Sequence, residues 1–561
     1  MLNFKLTSSL EKAFLDEKID SHPTLTNLTA LRGETVSLQL LANYDVDEHN
    51  LWTVYCTLSL SGPLAKYAKM RMVKHMAVTK PNVHGYSQNT DGYLRTTPGV
   101  YPDLLEDFKY NGMLVLQREA LESVWIDITI PDSDEIVGSC PLTVTVKSLS
   151  RDKAVTFPDE TLTCNIEVIN ATLPEQSLIM THWFYCDTLA EYYGVPVWSE
   201  EHWRIIESFA KCAIKHGQTM LLTPVFTPSL DTYVGGERLT TQLVAIEKTA
   251  DGYTFDFTLL DRWIDMCDRI GVKQLEISHF FTQWGATHAP KIMATVDGEE
   301  KRIFGWETDA HGEEYGSFLR AFIPELLAHL KARGDDKRCY FHISDEPHGD
   351  QIEDYKKSQA QVAELLKGYT IMDAMSDFEF YKQGVMKTPI PNTRSMEAFI
   401  AAEIPDMWTY YCGWAGFGCS SRMLAMPAAR NRALGMQLYK FNIVGFLHWG
   451  FNFYNTCHSY SPINPFADQS GENWVPAGDM YLVYPGKNGE PLESTRIYVF
   501  NEGLTDMRAM QLCEKYYSHD EIVAKIEEVA GINIRFTNTI SDAETVLKIR
   551  ETINLMIKAK V

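Results

Sequence analysis

Positive charge is in short supply along this chain. Lys and Arg number 51 against 74 Asp and Glu, a formal net charge of -23. A protein without a basic face has little to offer a phosphate backbone or an anionic bilayer surface, so nucleic acid and membrane are excluded as partner classes. No apolar run reaches the length of a membrane span. The opening MLNFKLTSSLEKAFLDEKID lacks the basic and then apolar regions of a secretory signal. The eleven cysteines, from Cys56 to Cys513, include no CxxC pair and read as reduced, buried thiols of a cytoplasmic protein. HExxH, EF-hand and GxSxG patterns are absent, and no GxGxxG follows a strand-like run, so neither cofactor nor metal is expected. The glycine-rich loop GWAGFGCSS (413–421) lacks the spacing of a phosphate cradle. No repeat or low-complexity tract is present, and nothing in the sequence sets an oligomeric state.

What is present is a globular composition. Hydrophobic residues make up 45% and charged residues 22% of 561 positions, too many for one ordinary core. Residues 1–172 are rich in short alternating runs such as ETVSLQLLANY and ESVWIDITIP, separated by turn residues. Strands without long helices predict an antiparallel β-sandwich domain. From about residue 175 strand-like runs alternate with helical patterns. SEEHWRIIESFAKCAIKHG (199–217), for example, carries an apolar face with Ser199 as N-cap and Gly217 as stop. Eight strand-like runs begin near 177, 219, 273, 338, 369, 406, 443 and 494. That alternation predicts a (β/α)8 TIM-like barrel over 173–561. The helical segment after about 503 is expected on the barrel's outside.

In such a barrel the chemistry sits at the carboxyl ends of the strands. These endings offer His182, Trp183 and Asp187; His279, Gln283 and Trp284; Asp345 and Glu346; Asp373 and Asp377; Tyr410, Tyr411 and Trp414; and Trp449, Asn452 and Tyr454. Aromatic platforms, amides and carboxylates suit a neutral polyhydroxylated ligand and acid/base work, not phosphate. The fourth run, YFHISDEPHG, ends in two adjacent carboxylates. Crowded, partly buried carboxyls hold a proton near neutral pH, which suits a general acid. The plainer reading is an Asp that caps a turn beside a Glu on the surface. His342 and His348 lie close enough in sequence to keep a metal site in view.

YFHISDEP also resembles the catalytic-strand motif of glycoside hydrolase family 123. FDFTLLDRWIDMCDRIGVKQLEISHF (255–280), GFLHWGFNFYN (445–455), and GDMYLVYPG (478–486) with Arg496 and NEGLTD (501–506) are similar to other blocks of that family, in the same order. The resemblance implies a sandwich followed by a catalytic barrel. It also implies an exo-acting β-N-acetylgalactosaminidase with retention of configuration, in which the substrate's own 2-acetamido group is the nucleophile. On this chain it implies Glu346 as general acid/base and Asp345 as the group that orients the acetamido and stabilises the oxazolinium intermediate. Trp183, Tyr411 and Trp449 are then the candidate flat partners of the sugar, and His279, Asp373 and Asn452 the candidates to read its hydroxyls. The expected partner is a small glycan or glycoconjugate ending in N-acetylhexosamine. Two alternatives stay open: a retaining β-glycosidase with a separate nucleophile, Asp373 or Asp377, and a glycan-binding protein without catalysis on the same fold. The long connections 227–255 and 285–315 are expected to shape the substrate mouth.

Overall fold

The computed structural model describes all residues except 46–50, 83–91, 151–154, 156 and 414–417. The β-rich N-terminal region forms two five-stranded sheets. Its strands are β1 (Leu2–Ser8), β2 (Asn27–Arg32), β3 (Thr35–Tyr44), β4 (Thr53–Ser61), β5 (Ala68–Val78), β6 (Gly99–Glu106), β7 (Leu114–Gln117), β8 (Leu121–Thr129), β9 (Gly138–Ser150) and β10 (Glu160–Thr172). The sheet orders are β1-β3-β8-β5-β6 and β2-β10-β9-β4-β7. Every pairing is antiparallel except β2 with β10, which is parallel. The inner faces meet through Leu38, Leu40, Val124 and Ile126 against Val144, Val146, Ile166 and Val168. From Leu38 onward β3 is buried on both faces. The outer face of its sheet is covered by the second region, so strict in–out alternation stops there.

That second region carries parallel strands between helices. In chain order they are β11 (Ile179–His182), α1 (Cys186–Tyr193), α2 (Glu200–Lys215) and β12 (Met220–Thr223); then β13 (Ala245–Thr249), β14 (Gly252–Asp256), α3 (Thr258–Ile270) and β15 (Gln274–Ile277). Next come β16 (Ile292–Val296), β17 (Glu299–Phe304), α4 (Glu313–Arg333), β18 (Cys339–Phe341), α5 (Ile352–Val362) and β19 (Thr370–Ala374). The series continues through α6 (Phe378–Lys382), β20 (Thr388–Ile390), α7 (Met396–Ala401), β21 (Trp408–Tyr410), α8 (Ala428–Arg432), α9 (Leu434–Lys440) and β22 (Gly445–His448). The chain ends with β23 (Val483–Pro485), β24 (Pro491–Glu493), α10 (Thr495–Cys513), α11 (His519–Ala530) and α12 (Ala543–Lys558).

Two parallel sheets, ordered β12-β15-β18-β19-β20 and β11-β22-β21, hold the central strands. They meet at both margins. The Thr219 N–H donates to the Met180 carbonyl at 3.0 Å, and the Tyr410 N–H to the Pro391 carbonyl at 3.1 Å. The connections 227–255 and 285–315 supply β13, β14, β16 and β17 of a separate four-stranded sheet.

Two expectations are corrected. The run at 494–503 is not a strand but the start of α10, capped by the Ser494 hydroxyl, which accepts from Ile497 N–H at 3.3 Å. Nearly all of α10 is buried, so the sequence shows no polar stripe to betray a helix. The strand missing from the count is β20, a three-residue stretch with Pro389 at its centre and Pro391 directly after it, which disguise it. The C-terminal helix also packs beyond the strands and helices of its own region: Arg550 of α12 pairs with Glu34, and Asn554 donates to the Thr29 hydroxyl at 2.9 Å.

Buried ions join the two regions. Arg496 grips Asp103 with two hydrogen bonds of 2.8 Å, both side chains being essentially inaccessible to water. Arg71 pairs with Asp127 at 2.5 Å and with Glu493, next to Tyr498. Trp125 and Tyr498 pack beside them at 5.7 Å.

Candidate active site

The site begins where β18 loses its regular ladder. Beyond Phe341 the N–H groups of Ile343 and Ser344 donate to the Asp373 carboxylate, at 3.0 and 3.1 Å. Asp373 also accepts from the Tyr355 hydroxyl at 2.6 Å and from His342 Nδ1 at 3.0 Å. A buried carboxylate on β19 therefore ties down the backbone that carries the acid pair. The Glu346 N–H donates to the Ala374 carbonyl at 3.0 Å, and Glu346 has φ of 43°. A left-handed conformation is costly outside glycine and is held only where neighbours enforce it. Here it turns the chain sharply between two adjacent carboxylates.

Asp345 and Glu346 line a small pocket of about 90 Å³ with Trp183, Asp231, Tyr410, Trp449, Trp474 and Asp479 among its walls. Burial pushes the Asp345 carboxyl well above the usual carboxylate range, and the neighbouring charges of Glu346 and Asp231 push the same way. Glu346 is also raised by burial, against the opposing effect of a hydrogen bond donated by the Tyr410 hydroxyl. Burial lifts Asp231 to about 7 despite the attraction of Arg238, and Asp479 to about 6 despite that of Arg422. Burial thus raises all four carboxyls that face the cavity, Asp231 to about 7 and Asp479 to about 6.

Both tryptophan walls are fixed by buried carboxylates. Trp183 Nε1–H donates to Glu276 at 2.8 Å, and Trp449 Nε1–H donates to Asp479 at 2.9 Å. Glu276 accepts as well from the Thr181 hydroxyl at 2.6 Å and from His342 Nε2 at 2.8 Å. Burial alone lowers the His342 imidazole, but its hydrogen bonds to Asp373 and Glu276 outweigh that and lift it to about 9. It is an imidazolium between two carboxylates, so both ring nitrogens donate. His448 is held far below the ordinary histidine range by burial. Its Nδ1 accepts from the Gly450 N–H at 3.1 Å, which leaves Nε2–H to donate to Asp479 at 3.2 Å.

Of the residues expected at the strand ends, Asp345, Glu346, Trp183, Tyr410 and Trp449 meet in the pocket. The others stand behind it. Asp373 is fully buried and saturated with donors, as described. His279 stacks on His342 with centroids 4.2 Å apart and lies edge-on to Trp183. Tyr411 is buried against His448 and Phe446. Asn452 closes two 2.9 Å hydrogen bonds with the main chain of Tyr185. Asp377 caps α6, accepting from Glu379 N–H at 3.0 Å. Trp414 lies outside the described residues. The pocket adds Asp231, Trp474 and Asp479, with Glu276 behind. Asp231 sits inside a long connection, where no strand end announces it. Glu276, a lone charge within the apolar strand LEIS, carried a readable signal, since an unpaired charge is almost never fully buried.

Two groups bring three metal-ligating atoms within 4.8 Å of one another: Cys212, His216 and Glu493, and His279, His342 and Asp373. Glu493 is already engaged by Arg71, Lys215 and His216. Both nitrogens of His342 are committed to carboxylates. These donor sets work as ion-pair hubs. A larger cavity of about 770 Å³ lies between the sandwich and α12, where Glu34, Arg432, Glu502 and Arg550 balance one another's charge.

Carboxyls poised to hold protons between two tryptophans, at the carboxyl ends of parallel strands, define the chemistry of a glycosidase. The comparisons agree. Residues 183–513 match the family model of the glycoside hydrolase 123 catalytic domain, more than half of the sequence, and the chain belongs to glycoside hydrolase family 123. The fold is shared with a family 123 glycoside hydrolase from Clostridium perfringens, solved in a study of glycolipid glycan hydrolysis. The TM-score is 0.70 at 14% identity, covering 100% of this chain and 97% of that one. A β-glucuronidase from Bacteroides uniformis overlays at TM-score 0.29 and 10% identity, covering 81% of this chain and 47% of that one. A family 2 glycosyl hydrolase from Bacteroides cellulosilyticus overlays at 0.26 and 10%, covering 82% and 47%. At those scores neither adds to the argument. No curated protein matches the sequence. Among the described residues, no helix is long and apolar enough to cross a membrane.

Proposed function

We propose that the protein is an exo-acting β-N-acetylgalactosaminidase that works with retention, through the 2-acetamido group of its substrate. The observation that carries this reading is the adjacency of Asp345 and Glu346 on one wall of the pocket. A conventional retaining pair stands on opposite sides of the anomeric carbon, about 5–5.5 Å apart. Neighbours in sequence serve better when one delivers a proton and the other faces the substituent beside the reacting carbon. Saturation of Asp373 by four donor groups, and the capping role of Asp377, weigh against either as a separate nucleophile.

In this mechanism Glu346 protonates the leaving oxygen while the acetamido oxygen attacks the anomeric carbon. Asp345 holds the acetamido N–H and faces the positive oxazolinium. Water then opens the ring, with Glu346 taking its proton. No hydrogen bond to the Asp345 carboxylate is present among the described residues. An arriving acetamido N–H supplies that donor, favours the ionised form of Asp345 and leaves the shared proton on Glu346. Trp183 and Trp449 flank the sugar, and Asp231 reads a hydroxyl. The cyclic order of eight parallel strands, bonded at both margins, supports a closed (β/α)8 barrel beneath the site. Ten buried cysteines, none of them in a disulfide among the described residues, support a reducing, cytoplasmic compartment.

The test compares hydrolysis of β-glycosides of N-acetylgalactosamine, N-acetylglucosamine and galactose, with Glu346→Gln alongside. The expected result is cleavage confined to the acetamido sugars, reduced by about 10²–10⁴-fold in the variant, and inhibition by a thiazoline analogue. Cleavage of the plain galactoside at a similar rate sinks the acetamido mechanism and directs attention to Asp231, a pocket carboxylate on a different loop.

A further inference from the structure

Beyond the pocket, two loops build a band of aromatic rings that the chemistry of the cleaved sugar does not use. Tyr233 and Tyr460 stack face to face, with centroids 4.3 Å apart and planes within 11°. Tyr460 is 66% exposed, so one face rests on Tyr233 and the other is open to water. An aromatic held this way keeps one flat apolar face available for stacking on a ligand.

The pair is tied to the site through its loops. Tyr233 lies two residues after the pocket carboxylate Asp231, and Tyr460 two residues after His458. The His458 ring contacts Trp474, a wall of the pocket, at 6.1 Å, and Trp284 at 5.0 Å. Trp284 in turn donates its backbone N–H to the carbonyl of Asp345 at 3.0 Å. The Tyr233–Tyr460 pair is therefore carried by the same two loops that bring Asp231 and His458 to the pocket and its rim. They are held in place rather than draped. Ser459 Oγ–H donates to the Asp231 carbonyl at 2.7 Å, and Tyr233 N–H to the His458 carbonyl at 3.0 Å. The Gln283 side chain accepts from Asp231 N–H at 2.6 Å and donates to the Thr232 carbonyl at 3.2 Å. Asp231, His458 and Ser459 all have positive φ, at 45°, 53° and 57°. Cross-linked loops at strained dihedrals present a rigid face, and rigidity lowers the ordering cost of binding.

We infer that the Tyr233–Tyr460 pair is a binding platform for the leaving group, and that its occupant is a hexose of the glycan chain whose apolar face stacks on the open side of Tyr460. This rests on the function proposed above.

The test pairs two substrates, the methyl β-glycoside of N-acetylgalactosamine and the disaccharide in which the same sugar is β-linked to galactose. Wild-type enzyme is compared with Tyr460→Ala and Tyr460→Trp. Tyr460→Ala is expected to lower kcat/KM for the disaccharide by about five- to tenfold, the size of one aromatic contact, and to leave the methyl glycoside unchanged. Tyr460→Trp is expected to restore the disaccharide rate. Equal effects on both substrates, or none on either, overturn the platform. If wild-type enzyme cleaves neither, the proposed function fails but the platform is still read directly by saturation-transfer NMR with lactose. Transfer seen with wild type and lost in Tyr460→Ala supports it, and no transfer with wild type overturns it.

Discussion

Trp183 and His342 share one acceptor: the indole Nε1–H and the imidazolium Nε2–H both donate to Oε1 of Glu276, each at 2.8 Å. The same imidazolium holds Asp373 on its other side, and Asp373 holds the backbone leading into Asp345 and Glu346. A wall of the pocket and the strand that carries the acid pair are thus set by one buried chain of alternating charges. Such a network is stable only when every member is satisfied.

Glu276→Gln breaks that condition while keeping the shape. The imidazolium loses half of its charge compensation, so the His342 pKa falls from about 9 toward the ordinary value, which imidazole NMR shifts report. Urea unfolding is expected to show a loss of about 1–3 kcal/mol. Trp183 is a wall of the pocket, so on the proposed function KM is expected to rise along with any fall in kcat.

Tyr410→Phe removes the hydroxyl that donates to Glu346. That hydrogen bond favours the ionised carboxylate and opposes the upward push of burial. Without it the Glu346 pKa rises further. The alkaline limb of the kcat/KM profile, which reports loss of the acid's proton, is expected to move to higher pH. A limb that moves to lower pH assigns the proton to another group.

Asp103→Ala tests the clamp between the two regions. Its loss leaves the buried Arg496 guanidinium without its two-point partner. Removing one member of such a pair costs about 3–5 kcal/mol, because the other charge stays buried and unpaired. Asp103→Ala combined with Arg496→Met is expected to recover part of that loss, as measured by denaturant midpoints.

The legibility of these features in sequence follows from physics. A dipeptide such as Asp345–Glu346 stands out because two charges end an apolar run, and helix α2 was readable because Ser199 caps an amphipathic pattern. The same rule hides α10, which is buried all round and rich in residues that favour strands. Strand β20 escapes because three residues with a proline at the centre carry no period. Asp373 sits at a strand end, as a sugar reader should, but only the fold reveals that its lone pairs are already taken. Asp231 and Trp474 reach the pocket from loops, and loop residues are brought together by tertiary structure that no local pattern encodes.

Asp231 gives the last prediction its sign. Burial lifts its carboxyl from 3.8 to about 7, so between those values the folded protein binds a proton that the unfolded chain has released. Stability therefore falls as pH rises through that window and is lowest, in this respect, above 7. Asp231→Asn removes the ionisation. Relative to wild type, the Tm of the variant is expected to be unchanged below about pH 4, to gain steadily from there to about 7, and to stay higher beyond. If Asp231 also reads a hydroxyl of the substrate, the same variant loses activity while it gains stability. The two effects in one protein would mark the carboxylate as retained for ligand recognition at the expense of the fold. A Tm difference that is flat across pH 4–8 would mean that Asp231 ionises normally in solution, and that the crowding of carboxyls in the pocket is relieved by water.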